Sequence, residues 1–331
     1  MAIPLIIGVA AAAVGAYKGG KAISDNSKAK ELNESAERIA KSAERMVERS
    51  RENCETALTD LGQAKVDVLD KNVQKFLEVF NQIKNVDFEH DGDLGNLHLN
   101  GFDQSSLAAL QEQVSFIATS GLGAAGGAVS GALVAYGAYS GTMMFAAAST
   151  GTAISTLSGA AATNATLAWL GGGSLAAGGG GVAAGTLALG ALAAGPAILV
   201  AGWYMGSKAS KNLDDAHSNR AEARRFEADM EKATALTDGI ADIANKLEEV
   251  ISNLRKFSRR NVNKLQDIID STGNDFRQYN DDEKMIVMKN VKIMQLIKAA
   301  IDTPILGEDG SLLGDAEANI LSIGQEIETI N

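Results

Sequence analysis

Apolar and small side chains recur every three or four residues along two long, otherwise charged parts of the chain. The first part runs from residue 24 to about residue 85, and the second from residue 208 to about residue 272. Steps of three and four residues place side chains on one face of a helix. We therefore predict an all-α protein with two long helical arms, which should lie antiparallel and bury their stripes against each other.

The two stripes consist mainly of aliphatic residues and alanine. The first comprises Leu32, Ala36, Ile39, Ala43, Met46, Ser50, Cys54, Ala57, Leu61, Ala64, Val68, Val73, Phe76, Phe80 and Ile83. The second comprises Leu213, Phe226, Met230, Ala233, Leu236 or Thr237, Ile240, Ile243, Leu247, Val250, Leu254, Phe257, Val262, Leu265 and Ile268. Cys54 belongs to the first stripe, so we interpret it as a packed core residue and not as a nucleophile.

Between the arms, residues 113–207 contain no Asp, Glu, Lys, Arg or His, and we call them the charge-free stretch. A surface without charge is either buried in protein or placed in lipid. We predict a central apolar Gly/Ala-rich helical hairpin region that inserts into membranes. Because Ala and Gly contribute little hydrophobicity, insertion should be conditional, with the hairpin sheltered in a soluble form. The alternative is a buried core hairpin in a soluble bundle. Candidate helices are residues 114–148, 153–170 and 182–204.

Glycines recur at four-residue spacing within the charge-free stretch. One helical turn separates such glycines, so they form a groove that lets helices approach backbone to backbone in lipid. The predicted membrane-packing residues are Gly123, Gly127, Gly131, Gly137, Gly141, Gly181, Gly185, Gly202 and Gly206. Aromatic and basic residues at helix ends are typical of membrane interfaces. The predicted interfacial anchors are Trp169, Trp203, Tyr204 and Lys208.

A second apolar run, residues 2–17, lies near the amino terminus. It lacks the preceding positive charge of a signal peptide and is short for a membrane span. We predict a helix that either docks on the bundle or anchors at a membrane. The predicted organisation is an apolar N-terminal helix (1–22), a first arm and turn (23–112), the membrane-inserting region (113–207), and a second arm with C-terminal helices (208–331).

Shorter elements complete the predicted fold. Ser105 should cap a helix that leads into the charge-free stretch. Asp281 or Asp282 should cap a helix at residues 283–302, and a last helix should span residues 315–330. Asp309-Gly310, between two short apolar runs, predicts one small β-hairpin that could pair with residues 97–99.

The sequence offers no set of catalytic residues. Residues 121–126 match GxGxxG, but no predicted strand precedes them and no acidic residue follows at the required distance. The three histidines are dispersed, and no Ser/His/Asp or Cys/His set is indicated. The acidic turn at residues 87–106 lacks the spacing of an EF-hand, so we predict a solvated turn. We therefore predict a non-enzymatic protein with no catalytic residue, no metal and no cofactor.

The net charge of −11 argues against nucleic-acid binding as the main task. Arg255, Lys256, Arg259 and Arg260 form a basic cluster, interpreted as a solvated face or, alternatively, a contact with anionic lipid. The single cysteine fits a reducing compartment. We predict a protein that is cytoplasmic in its soluble form and membrane-associated on insertion, and secretion stays open.

A long helical arm, an apolar Gly/Ala hairpin and a second long arm resemble the layout of α-helical pore-forming proteins of the cytolysin A type. The layout is also similar to that of apolipoprotein L proteins, which place a membrane-inserting hairpin between amphipathic helices. The resemblance covers most of the chain and lies in architecture, carried by residues 113–207 and the two stripes. It implies membrane insertion after a conformational change and assembly into an oligomer.

Three functions follow from these patterns. The first is a membrane-inserting, pore-forming or membrane-perturbing protein that acts on a lipid bilayer as a homo-oligomer. The second is a non-enzymatic membrane scaffold whose arms form a coiled-coil stalk that binds a protein partner. The third is a soluble helical assembly in which the glycine-rich hairpin packs subunit to subunit. The weak hydrophobicity of the charge-free stretch favours the first and the third.

Overall fold

The computed structural model describes residues 19–86, 103–120, 133, 136–138, 213–306 and 312–330. This part of the chain is 89% helical and contains no β-strand, which confirms the all-α prediction for it. Its elements, in chain order, are helix α1 (Gly19–Asp67), a π-helical segment (Val68–Val73), α2 (Gln74–Phe80), α3 (Gln104–Ser120), α4 (Leu213–Thr272), a 3-10 turn (Phe276–Gln278), α5 (Asp281–Asp302) and α6 (Ala316–Thr329).

The chain divides into two compact units, and the described residues of the first are 19–47 and 213–233. Here one face of α1 packs through small side chains. Its buried residues are Ala29, Ala36, Ala40, Ala43 and Val47 from α1, and Ala216, Ala223 and Met230 from α4. The amide of Asn219 donates a hydrogen bond to the side-chain oxygen of Asn33 at 3.0 Å.

The second unit contains the remaining described residues and a larger hydrophobic core. Both predicted stripes contribute to it, and Thr237, not Leu236, faces inward: Thr237 is 1% exposed and Leu236 is 38% exposed. Helix α5 is buried over much of its surface, and apolar residues supply most of its buried positions. Its buried residues are Val287, Met288, Asn290, Val291, Lys292, Ile293, Met294, Leu296, Ile297, Ala300 and Ile301.

The prediction that the two long helices lie antiparallel is wrong in both units. In the second unit, Ser50 contacts Thr237, and Asp67 contacts Arg255. In the first unit, Asn33 contacts Asn219, and Val47 clusters with Met230. Residue numbers rise together along both helices, so α1 and α4 run parallel. A short connection enforces antiparallel neighbours, but residues 81–212 form a connection long enough to return the chain.

The helix ends follow local side-chain chemistry. The long helix α4 ends before Gly273, whose φ of 100° lies in the left-handed region that glycine adopts without strain, so the predicted break is confirmed. Helix α5 is capped by Asn280, not by Asp281 or Asp282, because Asn280 and Glu283 form a reciprocal capping box.

At the start of α3, the predicted cap Ser105 is also wrong. The carboxylate of Asp103 accepts from the backbone N–H of Ser106 at 3.0 Å and from the hydroxyl of Ser105 at 2.6 Å. The last helix, α6, matches its predicted range to within one residue at each end.

The predicted β-hairpin is reduced to one isolated antiparallel bridge between Leu306 and Leu312 in the described residues. Residues 307–311, and the partner proposed at 97–99, lie outside them. The N-terminal apolar helix and most of the Gly/Ala hairpin also lie outside the described residues. The division into four regions stays a prediction.

Candidate functional site

Leu133 and residues 136–138 of the charge-free stretch pack against α1 in the second unit, and we call them the docked segment. Two glycines permit this contact. A Cβ added to Gly62 would lie 2.1 Å from the carbonyl oxygen of Leu133, and one added to Gly137 would lie 2.1 Å from that of Leu58. Contacts below 3.0 Å are essentially never made by a real Cβ. The backbones of the two segments therefore meet where only glycine fits, at Gly62 and at Gly137.

The segment runs in the opposite direction to α1, because Leu133 lies at Gly62 while Gly137 lies at Leu58. Its far end is held by the chain that follows α5. The backbone N–H groups of Ile305 and Leu306 donate to the carbonyl of Ala138 at 2.9 and 3.1 Å. Backbone groups of α1 and of the chain that follows α5 thus both contact the docked segment.

Lys65 of α1 is fully buried beside this contact. Its ammonium donates to the carbonyl of Gly137 at 3.2 Å and to the carbonyl of Thr303 at 3.5 Å. Burial lowers the pKa of Lys65 from its usual 10.5 to about 7, because a charged ammonium is costly away from water. The negative charge of Asp302 opposes that shift. Near neutral pH the charged and neutral forms are therefore comparably populated.

Asp302, at the end of α5, is the carboxylate of this site. It accepts from Lys298 at 2.5 Å and from the amide of Gln113 at 3.2 Å. Gln113 is the first residue of the charge-free stretch and is 3% exposed. Burial raises the pKa of the Tyr136 phenol, and Asp302 adds to that rise. Gln113 and Tyr136, which both belong to the charge-free stretch, therefore lie near Asp302 at the carboxyl end of α5.

The arrangement places opposing forces on the docked segment. Docking buries the apolar residues of the segment, but it also removes an ammonium group from water. Protonation of Lys65 therefore opposes docking, while the two glycine contacts and the backbone hydrogen bonds favour it. In the residues that the structure describes, no cluster of three or more His, Cys, Asp or Glu side chains could hold a metal ion.

Cys54 is buried in the same core, as predicted from its place on the stripe. Burial, followed by the charges of Asp238 and Glu55, raises the pKa of Cys54 to about 11. The thiolate, which is the nucleophilic form, is therefore disfavoured at neutral pH.

Among the predicted membrane-packing glycines, the structure describes Gly137, which packs against α1. The other eight glycines lie outside the described residues, as do the anchors Trp169, Trp203, Tyr204 and Lys208. None of the helices in the described ranges is long and apolar enough to cross a membrane.

Sequence reasoning did not single out Gly62, Lys65 or Asp302. A signal for the first two was present, since Leu58, Gly62, Lys65 and Leu69 follow one another at steps of four, three and four residues. This second row faces inward beside the stripe. A lysine at such a position is unusual because burial of its charge is costly. Asp302 is brought close only by the tertiary fold.

Comparisons with known proteins leave the chain without an assigned family. No protein-family model matches the sequence, no curated protein is significantly similar to it, and no solved structure matches its fold. The resemblance to cytolysin A-type and apolipoprotein L proteins therefore stays a prediction.

Proposed function

We propose that this chain is a non-enzymatic, membrane-inserting protein that shelters its charge-free stretch on a helical bundle and releases it into a lipid bilayer. In the inserted state the glycine-spaced helices pack into an oligomer that forms a pore or perturbs the membrane. The soluble form is cytoplasmic, and no cofactor or nucleic acid takes part.

One observation carries this proposal: the docked segment contacts α1 through paired glycines beside a buried lysine. A chain segment that is permanently part of a core gains nothing from an ammonium whose charge opposes burial. A segment that leaves the core benefits from a contact that is close to balance, because a small free-energy change then shifts its population. Because the released segment carries no charge, it can enter the lipid bilayer.

The decisive variant is Gly62→Ala. It leaves the charge-free stretch unchanged, yet its Cβ would overlap the carbonyl of Leu133. We expect undocking to become easier by about 1–3 kcal/mol. Flotation with liposomes and release of a trapped dye should both rise by roughly tenfold, which corresponds to about 1.4 kcal/mol.

Gly239→Ala is the matched control, since it also replaces a helical glycine with alanine. Its Cβ would make an ordinary contact, 3.6 Å from a methyl group of Leu312. Flotation and dye release should stay at the wild-type level. A Gly62→Ala protein that unfolds without floating would contradict membrane insertion.

Gly127→Leu and Gly131→Leu test the inserted state. They fill the four-residue groove that brings helices together in lipid. Both should float like the wild type but release less dye. Flotation without dye release by the wild type would instead favour the membrane scaffold.

The soluble helical assembly is the second candidate, and the burial of Tyr136 and Ala138 in the bundle core also favours it. In that case the charge-free stretch is an internal core or a subunit contact. The wild-type protein would then stay at the bottom of the gradient and form a stable assembly without detergent.

A further inference from the structure

Four exposed cations follow one another along α4 with no acidic residue between them. They are Lys256, Arg259, Arg260 and Lys264, which we call the cationic row. No carboxylate of the described residues lies within ion-pair distance of them, whereas the neighbouring Arg255 pairs with Asp67 at 3.0 Å. From residue 250 to residue 266 the sequence contains no Asp or Glu.

Some other surface cations of α1 and α4 are paired with a carboxylate along the same helix. Lys41 lies 2.7 Å from Glu37, and Lys232 lies 3.4 Å from Asp229. In the cationic row, the positions three and four residues from Lys256 are instead filled by Arg259 and Arg260. Lys264 follows Arg260 by four residues. Like charges at these spacings destabilise a helix, so the cations of the row repel one another.

Helix α5 extends the same surface with a further cation. The ammonium of Lys289 lies 5.1 Å from the centre of the half-buried Phe257 ring. Burial lowers the pKa of Lys289, and the neighbouring charge of Lys264 lowers it further. The two helices are fixed here by a buried hydrogen bond at 3.1 Å, from the amide of Asn290 to the carbonyl of Asn261. The cations thus project from a rigid, two-helix surface.

We propose that the cationic row, together with Lys289 and Phe257, binds the phosphate groups of an anionic phospholipid bilayer. A bilayer of this kind relieves the repulsion among the cations, and a half-buried aromatic ring suits the interface between headgroups and acyl chains. This inference rests on the proposed function, because a chain that inserts into lipid must first reach it. The net charge of −11 makes a local cationic surface necessary for approach to an anionic membrane.

The test uses the full-length protein and vesicles of phosphatidylcholine with or without phosphatidylserine, at low and at high salt. We expect the wild type to prefer the anionic vesicles at low salt and to lose that preference at high salt. The triple variant Arg259→Gln/Arg260→Gln/Lys264→Gln should lose roughly a hundredfold in partition onto anionic vesicles. Its partition onto neutral vesicles should be unchanged.

The matched control is Lys28→Gln/Arg224→Gln/Arg225→Gln, which removes the same charge from exposed positions of the first unit. It should keep the anionic preference. Equal losses in both triple variants would overturn the proposal, because net charge alone would then explain the binding. A wild type without anionic preference would overturn it too.

Two competition arms identify the anion. Inorganic phosphate that displaces the protein at the concentration of lipid phosphate would assign the row to a free anion. A short RNA that binds through the row more tightly than the vesicles do would assign it to nucleic acid. Either result overturns the lipid assignment.

Dye release separates the two proposals. Release from neutral vesicles without anionic preference leaves the proposed insertion intact and rejects the row. Binding that depends on the cationic row, without dye release, supports the row and rejects the proposed insertion.

Discussion

The docked segment and helix α5 are both buried in the second unit, but different interactions hold them there. Helix α5 contributes large aliphatic side chains to the core, including Val291, Met294 and Ile297, each at most 1% exposed. The docked segment contributes a partly buried leucine, one tyrosine, one glycine and one alanine, and its neighbour in the core is a lysine. Burial of apolar area is the main stabilising term in folding, so α5 gains far more from its position than the segment does.

This difference divides one core into a strongly held part and a weakly held part. Local opening in proteins begins where few apolar contacts hold the chain. The docked segment is such a place, because its contact depends on absent side chains at Gly62 and Gly137 and on a buried ammonium. A contact of this kind suits the membrane insertion that we propose, since release would then leave the α5 core intact.

The largest expected effect lies in α5. Ile297→Ala removes a side chain that is 1% exposed, and we expect it to lower the free energy of unfolding by about 3–4 kcal/mol. Urea unfolding followed by circular dichroism measures this loss. Dye release should rise only as far as the whole protein unfolds.

Leu321→Ala is the control for that substitution, because Leu321 is 57% exposed on α6. Its effect should stay within about 0.5 kcal/mol. If Ile297→Ala lowered the free energy of unfolding no more than Leu321→Ala, α5 would not be the strongly held region. The contrast between α5 and the docked segment would then be wrong.

The second effect is a pH dependence that belongs to the docked segment. The pKa of Lys65 is lower in the folded protein, about 7, than in the unfolded chain, about 10.5. Between these values the unfolded chain binds more protons, so stability rises with pH and is lost as pH falls towards 7. From pH 7 to pH 9 we expect the free energy of unfolding to rise by about 2–3 kcal/mol. Urea titrations across this range measure it.

The pH range ends at 9 because the ionisation of Cys54 lowers the free energy of unfolding above that pH. Its pKa is raised from 9.0 to about 11, so the folded protein keeps a proton that the unfolded chain loses, and stability falls. Lys65→Met should remove the rise between pH 7 and pH 9. Asp302→Asn should extend it below pH 7, since the carboxylate no longer raises the pKa of Lys65. A wild type with the same urea midpoint at pH 7 and pH 9 would contradict a buried, neutral Lys65.

Hydrophobic spacing predicted the helices well and their direction badly. The stripes at Ser50–Val68 and Ile240–Leu254 are buried as expected, and α5 and α6 occupy their predicted ranges. A stripe looks the same when the helix is reversed, so its period carries no information on whether α1 and α4 run parallel. That information lies in pairs distant in sequence, such as Ser50 with Thr237.

The candidate site was harder to predict for the same reason. Gly137 was singled out as a residue that packs helices in lipid, but in this fold its missing side chain accommodates Leu58 of α1. Four-residue glycine spacing indicates close backbone approach without identifying the partner. Lys65 and Asp302 lie far apart in sequence, so the row that contains Lys65 does not indicate its proximity to Asp302.

The smallest effect on stability is expected at Gly324, a glycine that makes no close contact. Gly324 lies in α6, and a Cβ added there meets no atom within 4 Å. Alanine is the better helix former, because glycine loses more backbone entropy on folding. Gly324→Ala should therefore stabilise the protein by up to about 1 kcal/mol, measured by urea unfolding. The same substitution at Gly62 should have the opposite sign, since its Cβ would meet the carbonyl of Leu133. If both substitutions stabilised the protein, the backbone contact that shelters the docked segment would not exist in solution.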